Sequence, residues 1–414
     1  VRRIALAAAV VALAAGTAAA DPVIDQVTTK STRSGAVTVS VESTFSARGE
    51  LWLTGDVNGS PVVLKKRLRT SHKTLKFVVN PARLHLGRKL AAPLHFSLNV
   101  SATETESGAN AKQDVSADVP VPCVLIPGFA DEQTPGAFAA VATALDLLAG
   151  GRYAVDTKKP FMVVHEYASL TKSLATLGAE VDKSVKAALR GTPFIKADVV
   201  GYSYGGLVAR QYMALKGGAR VRNCVFLGSP NQGTPIAYLG VGLLKNNLLD
   251  GLLGQNAALA TAVGGLVNDQ TKGALRNMYP TYKWLDGDPL TVGFALLFLG
   301  DATTPLTALN QLPPPAGVQF DAFYYSSTPG GQLGTVDHIA VADLTAGLTG
   351  GSQLDPATLA TGDGDGVVPA HSVTMNETTS WRLAITGHDV GAGTHVTMPA
   401  DPNVLAGVVA IIAQ

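Results

Sequence analysis

Lys196-Ala-Asp-Val-Val-Gly201-Tyr-Ser203-Tyr-Gly205-Gly206-Leu-Val-Ala-Arg-Gln-Tyr-Met213 decides how the rest of the chain is read. The apolar pair Val199 and Val200 runs into a G-x-S-x-G pentapeptide. Apolar residues then recur at helical spacing, at Leu207, Val208, Tyr212, Met213 and Leu215. Strand, sharp turn and helix form the setting in which this pentapeptide becomes an elbow with an exposed serine hydroxyl. Such a turn crowds its neighbours, and Gly201, Gly205 and Gly206 carry no Cβ to clash. Ser203 is therefore the candidate nucleophile, at the N-terminus of a helix.

Composition narrows the possible partners. The net charge is +1 over 414 residues, so no general attraction to nucleic acid is expected. Only 15% of residues are charged and 46% are hydrophobic, which points to a globular chain rather than a disordered one. Two cysteines are too few for a disulfide framework. The first residues, Val1-Arg-Arg-Ile-Ala-Leu-Ala-Ala-Ala-Val, place two arginines before an apolar run that ends in Thr17-Ala-Ala-Ala20. That is the pattern of a signal peptide over residues 1–20, with cleavage after Ala20. The mature protein is expected to be secreted or periplasmic, and the Ala-rich, Cys-poor composition suits a bacterium. Phe294-Ala-Leu-Leu-Phe-Leu299 is apolar but too short to span a bilayer.

Residues 21–118 contain short segments of alternating polarity, including Ala36 to Val41, Glu50 to Thr54, Pro61 to Leu64, Leu75 to Val79 and Leu94 to Val100. Turn formers separate them at Asp56-Val-Asn58-Gly59 and Ser107-Gly-Ala-Asn110. The expectation is a small all-β sandwich. Its run Lys65, Lys66, Arg67, Arg69, Lys73, Lys76, Arg83, Arg88 and Lys89 reads as solvated strand faces ahead of a patch for anionic surfaces. Residues 119–414 change rhythm. Val121 to Ile126, Phe161 to His165, the Ser203 strand, Cys224 to Leu227, Val318 to Tyr325 and Trp381 to Ile385 read as strands. Ala137 to Leu148, Leu170 to Leu189 and Asn403 to Ile412 read as helices. Alternation of this kind predicts an α/β domain, with a mostly parallel sheet and helices on both faces. Residues 236–316 interrupt it with a leucine-rich, Gly-punctuated tract, expected to be an apolar lid or cap.

A serine hydroxyl needs a histidine to take its proton and a carboxylate to orient that histidine. In the chain order Ser, acid, His, the acids available are Asp363 and Asp365 and the histidines His388 and His395. Asp365 is preferred because it directly precedes Gly366-Val-Val-Pro369, a turn able to aim a side chain back at the strand ends. Asp363 is left as a turn former. His395 is preferred because it stands in the loop before the final helix, with His388, near the strand end, as the second choice. His371 is assigned to the surface and His165 to a structural role. Asp363-Gly-Asp-Gly fails as a calcium loop, since the twelfth position is Thr374 rather than Glu. No HExxH or Cys/His cluster suggests a metal, and no cofactor is expected. Oxyanion donors are expected from the backbone N–H groups of Tyr204, after the nucleophile, and Phe129, after Pro127-Gly128. Cys123 and Cys224 are expected on strands flanking that of Ser203. Two strand spacings are about 9.5 Å, beyond the limit of about 7 Å for a disulfide.

Pro127-Gly-Phe129, Gly201-Tyr-Ser-Tyr-Gly-Gly206, Gly228-Ser-Pro-Asn-Gln-Gly-Thr-Pro235, Met278-Tyr-Pro-Thr-Tyr-Lys-Trp-Leu285 and Gly364-Asp-Gly-Val-Val-Pro369 together resemble secreted bacterial lipases. More particularly, they resemble the lecithin:cholesterol acyltransferase family of α/β-hydrolases, over about residues 120–414. The resemblance implies an α/β-hydrolase fold, a triad of Ser203, Asp365 and His395, and an oxyanion role for Phe129. Glu166-Tyr-Ala-Ser169 stands where that family carries Tyr-Asp-Trp-Arg, so hydrolysis is expected ahead of acyl transfer or phospholipase action. The expected partner is a lipid or other acyl ester, met at a lipid–water interface. The contrasting expectation is a catalytically silent fold whose β-sandwich binds surfaces.

Overall fold

The computed structural model describes residues 21–45, 48–68, 73–84, 86, 90–129, 137–151, 153, 161–167, 172–234, 237, 277–278, 281, 305–329, 335–339, 359–376 and 378–414. The expected signal peptide, Phe294 to Leu299 and most of the tract 236–316 lie outside the described residues. The chain forms two compact units, residues 1–119 with 191–193, and residues 120–190 with 194–414.

The first unit holds two antiparallel sheets. One joins β1 (Val23–Ser31), β2 (Val37–Thr44) and β5 (Lys73–Val79) in the order β1-β2-β5. The other joins β3 (Gly49–Val57), β4 (Ser60–Leu68), β6 (Leu94–Glu104) and β7 (Asn110–Val119) in the order β4-β3-β6-β7. Residues of β2 and β6 are buried alternately, so each sheet gives one face to a core. Val37, Val39, Val41, Leu51, Leu53, Phe96 and Val100 fill it. Asn58 and Gly59, with φ of 47° and 79°, form the two-residue turn between β3 and β4. Both central residues then have positive φ, as the tight hairpin turn requires. The sequence patterns miss β1 and β7. Both are outer strands of their sheets and mostly polar (Asn110 to Val119 reads NAKQDVSADV), so no alternation marks them. The turn expected over 107–110 ends one residue early, and Asn110 already pairs with Thr103.

The second unit is built on six parallel strands: β8 (Cys123–Ile126), β9 (Met162–Val164), β10 (Ala197–Tyr202), β11 (Val221–Leu227), β12 (Gln319–Tyr324) and β15 (Ile385–Asp389). They lie in the order β15-β12-β11-β10-β8-β9. β13 (Thr335–Ile339) and β14 (Leu359–Gly362) form a separate antiparallel pair. Among the described residues the helices are α1 (Ala137–Leu148), α2 (Leu174–Leu189), α3 (Tyr204–Lys216), α4 (Pro305–Gln311), α5 (Ala370–Thr374), α6 (Thr379–Arg382) and α7 (Pro402–Ile412). This is the α/β-hydrolase fold. β8, buried at all four positions, is apolar without alternation because helices cover both faces. α2 buries Leu174, Leu177, Val181, Val185 and Ala188, spaced three and four apart, and packs on α3. The Ser173 hydroxyl caps it by accepting the Thr176 N–H. α1 packs on α7, and the Asp401 carboxylate caps α7 by accepting the Asn403 N–H at 2.8 Å.

The strand expected from Trp381 to Ile385 is corrected. Trp381 lies in α6, and the last strand begins only at Ile385. The indole explains the difference. It donates to the Leu312 carbonyl at 2.8 Å and meets Phe320 edge-on at 5.1 Å, so it packs over the sheet instead of within it. β15 itself contains Gly387 and, among the described residues, pairs only with β12, which leaves it little hydrophobic signal.

The strand order also places the site. From β8 the chain moves outward to β9, and from β10 it moves the opposite way to β11 and β12. Adjacent strands whose connections diverge leave a crevice at their carboxyl ends. Gly201 of β10 pairs with Ile126 of β8, so Ser203 and Phe129 both emerge there. Phe226, stacked on Phe320 at 6.1 Å, is a buried anchor of the sheet beside this crevice. Phe226→Ala is expected to cost about 3–5 kcal/mol, read as a lower urea midpoint at unchanged m value.

Candidate active site

Ser203 occupies the turn between β10 and α3 with φ 51° and ψ −126°. A non-glycine residue rarely adopts such a backbone, and holding it costs about 1–3 kcal/mol. Its surroundings impose it. The Ser203 N–H donates to the Leu227 carbonyl at 2.9 Å, and its own carbonyl accepts the Gly206 N–H at 3.0 Å. A Cβ on Gly205 would sit 2.3 Å from the carbonyl oxygens of Ile126 and Pro127, and one on Gly206 would overlap the Ser229 hydroxyl.

The structure brings Ser203, His395 and Asp365 together from three distant parts of the chain. Ser203 Oγ lies 2.8 Å from His395 Nε2, and His395 Nδ1 lies 2.7 Å from Asp365 Oδ2. All three side chains are buried. With the proton on Nδ1 directed to the carboxylate, Nε2 is left to accept the serine hydroxyl proton. Asp365 Oδ1 accepts the Val367 and Val368 N–H groups at 2.9 and 2.7 Å, so the following turn aims the carboxylate. The His395 N–H donates to the Asp365 carbonyl at 3.0 Å, which ties the two loops together. Gly228, with φ 54°, backs the group. A Cβ there would come within 3.1 Å of Asp365 Oδ2 and 3.2 Å of His395 Nδ1.

The alternatives go elsewhere. Asp363 is exposed, and its carbonyl accepts the Ala370 N–H. His388, on β15, pairs through Nε2 with Asp321 at 2.9 Å and stacks on Phe323. His371 is half-buried in α5 rather than fully at the surface. Cys123 and Cys224 are free and buried on the strands either side of β10.

The two expected oxyanion donors flank the serine. Tyr204 opens α3, where the first N–H groups of a helix have no intrahelical acceptor. Among the described residues, neither the Tyr204 N–H nor the Phe129 N–H has a backbone acceptor. The Tyr204 ring meets Phe129 edge-on, with its hydroxyl accepting from Asn277 at 2.9 Å. The Tyr167 hydroxyl donates to the Pro127 carbonyl at 2.6 Å and reaches that of Gly128 at 3.3 Å. In a planar trans peptide C=O and N–H point opposite ways, so this contact turns the Phe129 N–H away from Tyr167. Sequence reading passed over Tyr167, Tyr202 and Gly228 as site residues. All three lie in or beside quoted motifs, but no role was read for them. The hydroxyls of both tyrosines donate to backbone carbonyls, contacts that leave no pattern in the sequence.

Among solved structures, the chain is similar to a lipase from Bacillus licheniformis in its mature form, at 14% identity and a TM-score of 0.36, covering 71% of this chain and 91% of that one. It is similar to a phospholipase from Legionella pneumophila at 14% identity and a TM-score of 0.35, covering 62% of this chain and 45% of that one. A thioesterase of the prodiginine biosynthetic pathway from Streptomyces coelicolor matches at 14% identity and a TM-score of 0.33, covering 70% of this chain and 85% of that one. The chain thus spans under half of the phospholipase. No protein-family model and no curated protein sequence matches it.

One buried histidine near the site makes stability depend on pH. His165 bonds the Ser184 hydroxyl through Nδ1, at 2.8 Å, and stacks on Tyr167. Burial pulls its imidazole down from 6.5 to about 4. Between those values the unfolded chain binds a proton that the folded chain does not. Stability is therefore full above pH 6.5 and falls as the pH drops toward 4. The loss amounts to about 3 kcal/mol. Urea unfolding at pH 7, 5.5 and 4 is expected to show it, and His165→Gln is expected to flatten that part of the profile.

Proposed function

We propose that this chain is a serine ester hydrolase that cleaves lipid-like acyl esters through an acyl-enzyme. The observation that carries the reading is the chain of contacts from Ser203 through His395 to Asp365 at a strained elbow. Ser203 Oγ attacks the ester carbonyl while His395 Nε2 takes its proton. Asp365 holds the imidazole tautomer and stabilises the imidazolium. The oxyanion receives the N–H groups of Tyr204 and Phe129, each such donor typically contributing about 3 kcal/mol. The tetrahedral intermediate collapses as His395 passes the proton to the leaving alcohol. Water, activated by the same histidine, then releases the acid and restores Ser203.

An apolar acyl group is favoured by the setting. Phe129 is half-buried beside the elbow, and Val396, next to His395, is 58% exposed. The leucine-rich sequence of residues 236–316 suits the same class of substrate. The motifs from Pro127 to Pro369 support a lipase of the lecithin:cholesterol acyltransferase type in its core chemistry, with water as the acceptor. Residues 1–20 support export, which would present the enzyme to lipid outside the cytoplasm.

Ser203→Ala is expected to lower kcat on p-nitrophenyl esters by at least about 10³-fold and to abolish fluorophosphonate labelling. Asp365→Asn is expected to lower kcat by about 10³–10⁴-fold at little change in KM. A Ser203→Ala protein that hydrolyses these esters at the wild-type rate would remove the reading, and an unlabelled wild type would favour a silent fold. Free fatty acid should remain the main product when a lipid alcohol is added.

A further inference from the structure

Tyr202 is the last residue of β10 and the immediate neighbour of Ser203. Two contacts tie it to His395. Its hydroxyl donates to the His395 carbonyl at 2.9 Å. Its ring lies against the imidazole, with centroids 5.2 Å apart and planes 30° apart. Phe138 of α1 stacks on the same tyrosine, with centroids 5.9 Å apart and planes 23° apart. Gly128 also yields to it, since a Cβ there would come within 2.9 Å of the tyrosine ring.

These contacts act on what the histidine must do. Nδ1 has to face Asp365 while Nε2 faces Ser203, which fixes the rotation of the ring about its bond to Cβ. His395 opens a short 3₁₀ turn, His395–Ala400, and the Asp365 carbonyl holds its N–H. The Tyr202 hydroxyl holds its carbonyl, so both backbone groups are anchored. A flat ring beside the imidazole restricts rotation out of the Ser203–Asp365 plane. When Ser203 gives up its proton the imidazole becomes a cation, and the π face of an aromatic ring attracts a cation within about 6 Å. That attraction arises only as the charge develops, so it lowers the barrier without tightening substrate binding. Both contacts come from the residue joined to the nucleophile, so one strand end sets the nucleophile and its base together.

We propose that Tyr202 is a positioning residue for His395, holding its backbone through the hydroxyl and its imidazole through the ring. The proposal rests on the reading of Ser203 as nucleophile and His395 as base.

The test compares the full chain with Tyr202→Phe and Tyr202→Leu. Steady-state kinetics on p-nitrophenyl butyrate, thermal melts and the low-field proton resonance of His395 Nδ1–H are read on each. Tyr202→Phe keeps the ring and loses the hydroxyl, and kcat is expected to fall about 5-fold with KM within about twofold. Tyr202→Leu loses both, and kcat is expected to fall about 10²-fold with KM again little changed. The low-field proton should persist in Tyr202→Phe and broaden or vanish in Tyr202→Leu. A structural role alone would lower the melting temperature, while the folded fraction kept wild-type kcat and the proton resonance. That result overturns the proposal, as does a loss confined to KM. Failure of the underlying reading looks different, because wild type would then show neither esterase activity nor fluorophosphonate labelling. In that case the resonance decides positioning by itself, and its persistence in Tyr202→Leu overturns the proposal.

Discussion

The backbone at Ser203 is the constraint on which the second unit depends. A serine at φ 51° is held against its own preference, and the preference is overcome only because the chain on every side is close. β8 and β10 run so near the first turn of α3 that Gly205 lies against the carbonyls of Ile126 and Pro127. β11 supplies the Leu227 carbonyl that takes the Ser203 N–H. Three adjacent strands and one helix therefore share the cost of a single strained residue. Their apolar packing, with Val124, Val199, Leu207 and Phe226 fully buried or nearly so, holds them in place.

The strain has a chemical consequence. An elbow of this shape lifts the hydroxyl off the strand end and places the first N–H groups of α3 beside it. His395 can then approach from a loop almost two hundred residues later, because nothing on the elbow blocks it. Gly228 and Gly128 keep the approach open, one behind the His395–Asp365 contact and one under the Tyr202 ring. The small residues and the polar ones are thus parts of one arrangement. Gly128, Gly205, Gly206 and Gly228 each mark a place where another group needs the space.

Legibility followed the strength of local pattern. The interior strands Cys123–Ile126 and Val221–Leu227 are apolar runs bounded by turn residues, and α2 shows its helical period plainly. The outer strands Val23–Ser31 and Asn110–Val119 carry no such signal, since most of their side chains are polar and meet water. Trp381 misled because an aromatic residue beside apolar ones reads as strand, whereas its indole is used across the sheet against Phe320 and Leu312. Asp365 was distinguishable from Asp363 by the turn that follows it, a local property. His395 was preferred to His388 only for its place before the final helix, whereas the fold separates them by their partners, Ser203 and Asp365 for one and Asp321 for the other.

The sequence by itself determined the elbow, the parallel αβ rhythm and the order of serine, acid and histidine. Those are properties of short segments, set by glycine, by apolar spacing and by turn chemistry. Tertiary structure alone decided that Asp365 Oδ2 and Ser203 Oγ meet the two nitrogens of one imidazole. It alone decided that Tyr202 and Tyr167 hold the carbonyls of His395 and Pro127. The physical reason is range. A hydrogen bond closes within about 3 Å, and the residues that make these lie on segments that only the folded sheet brings side by side.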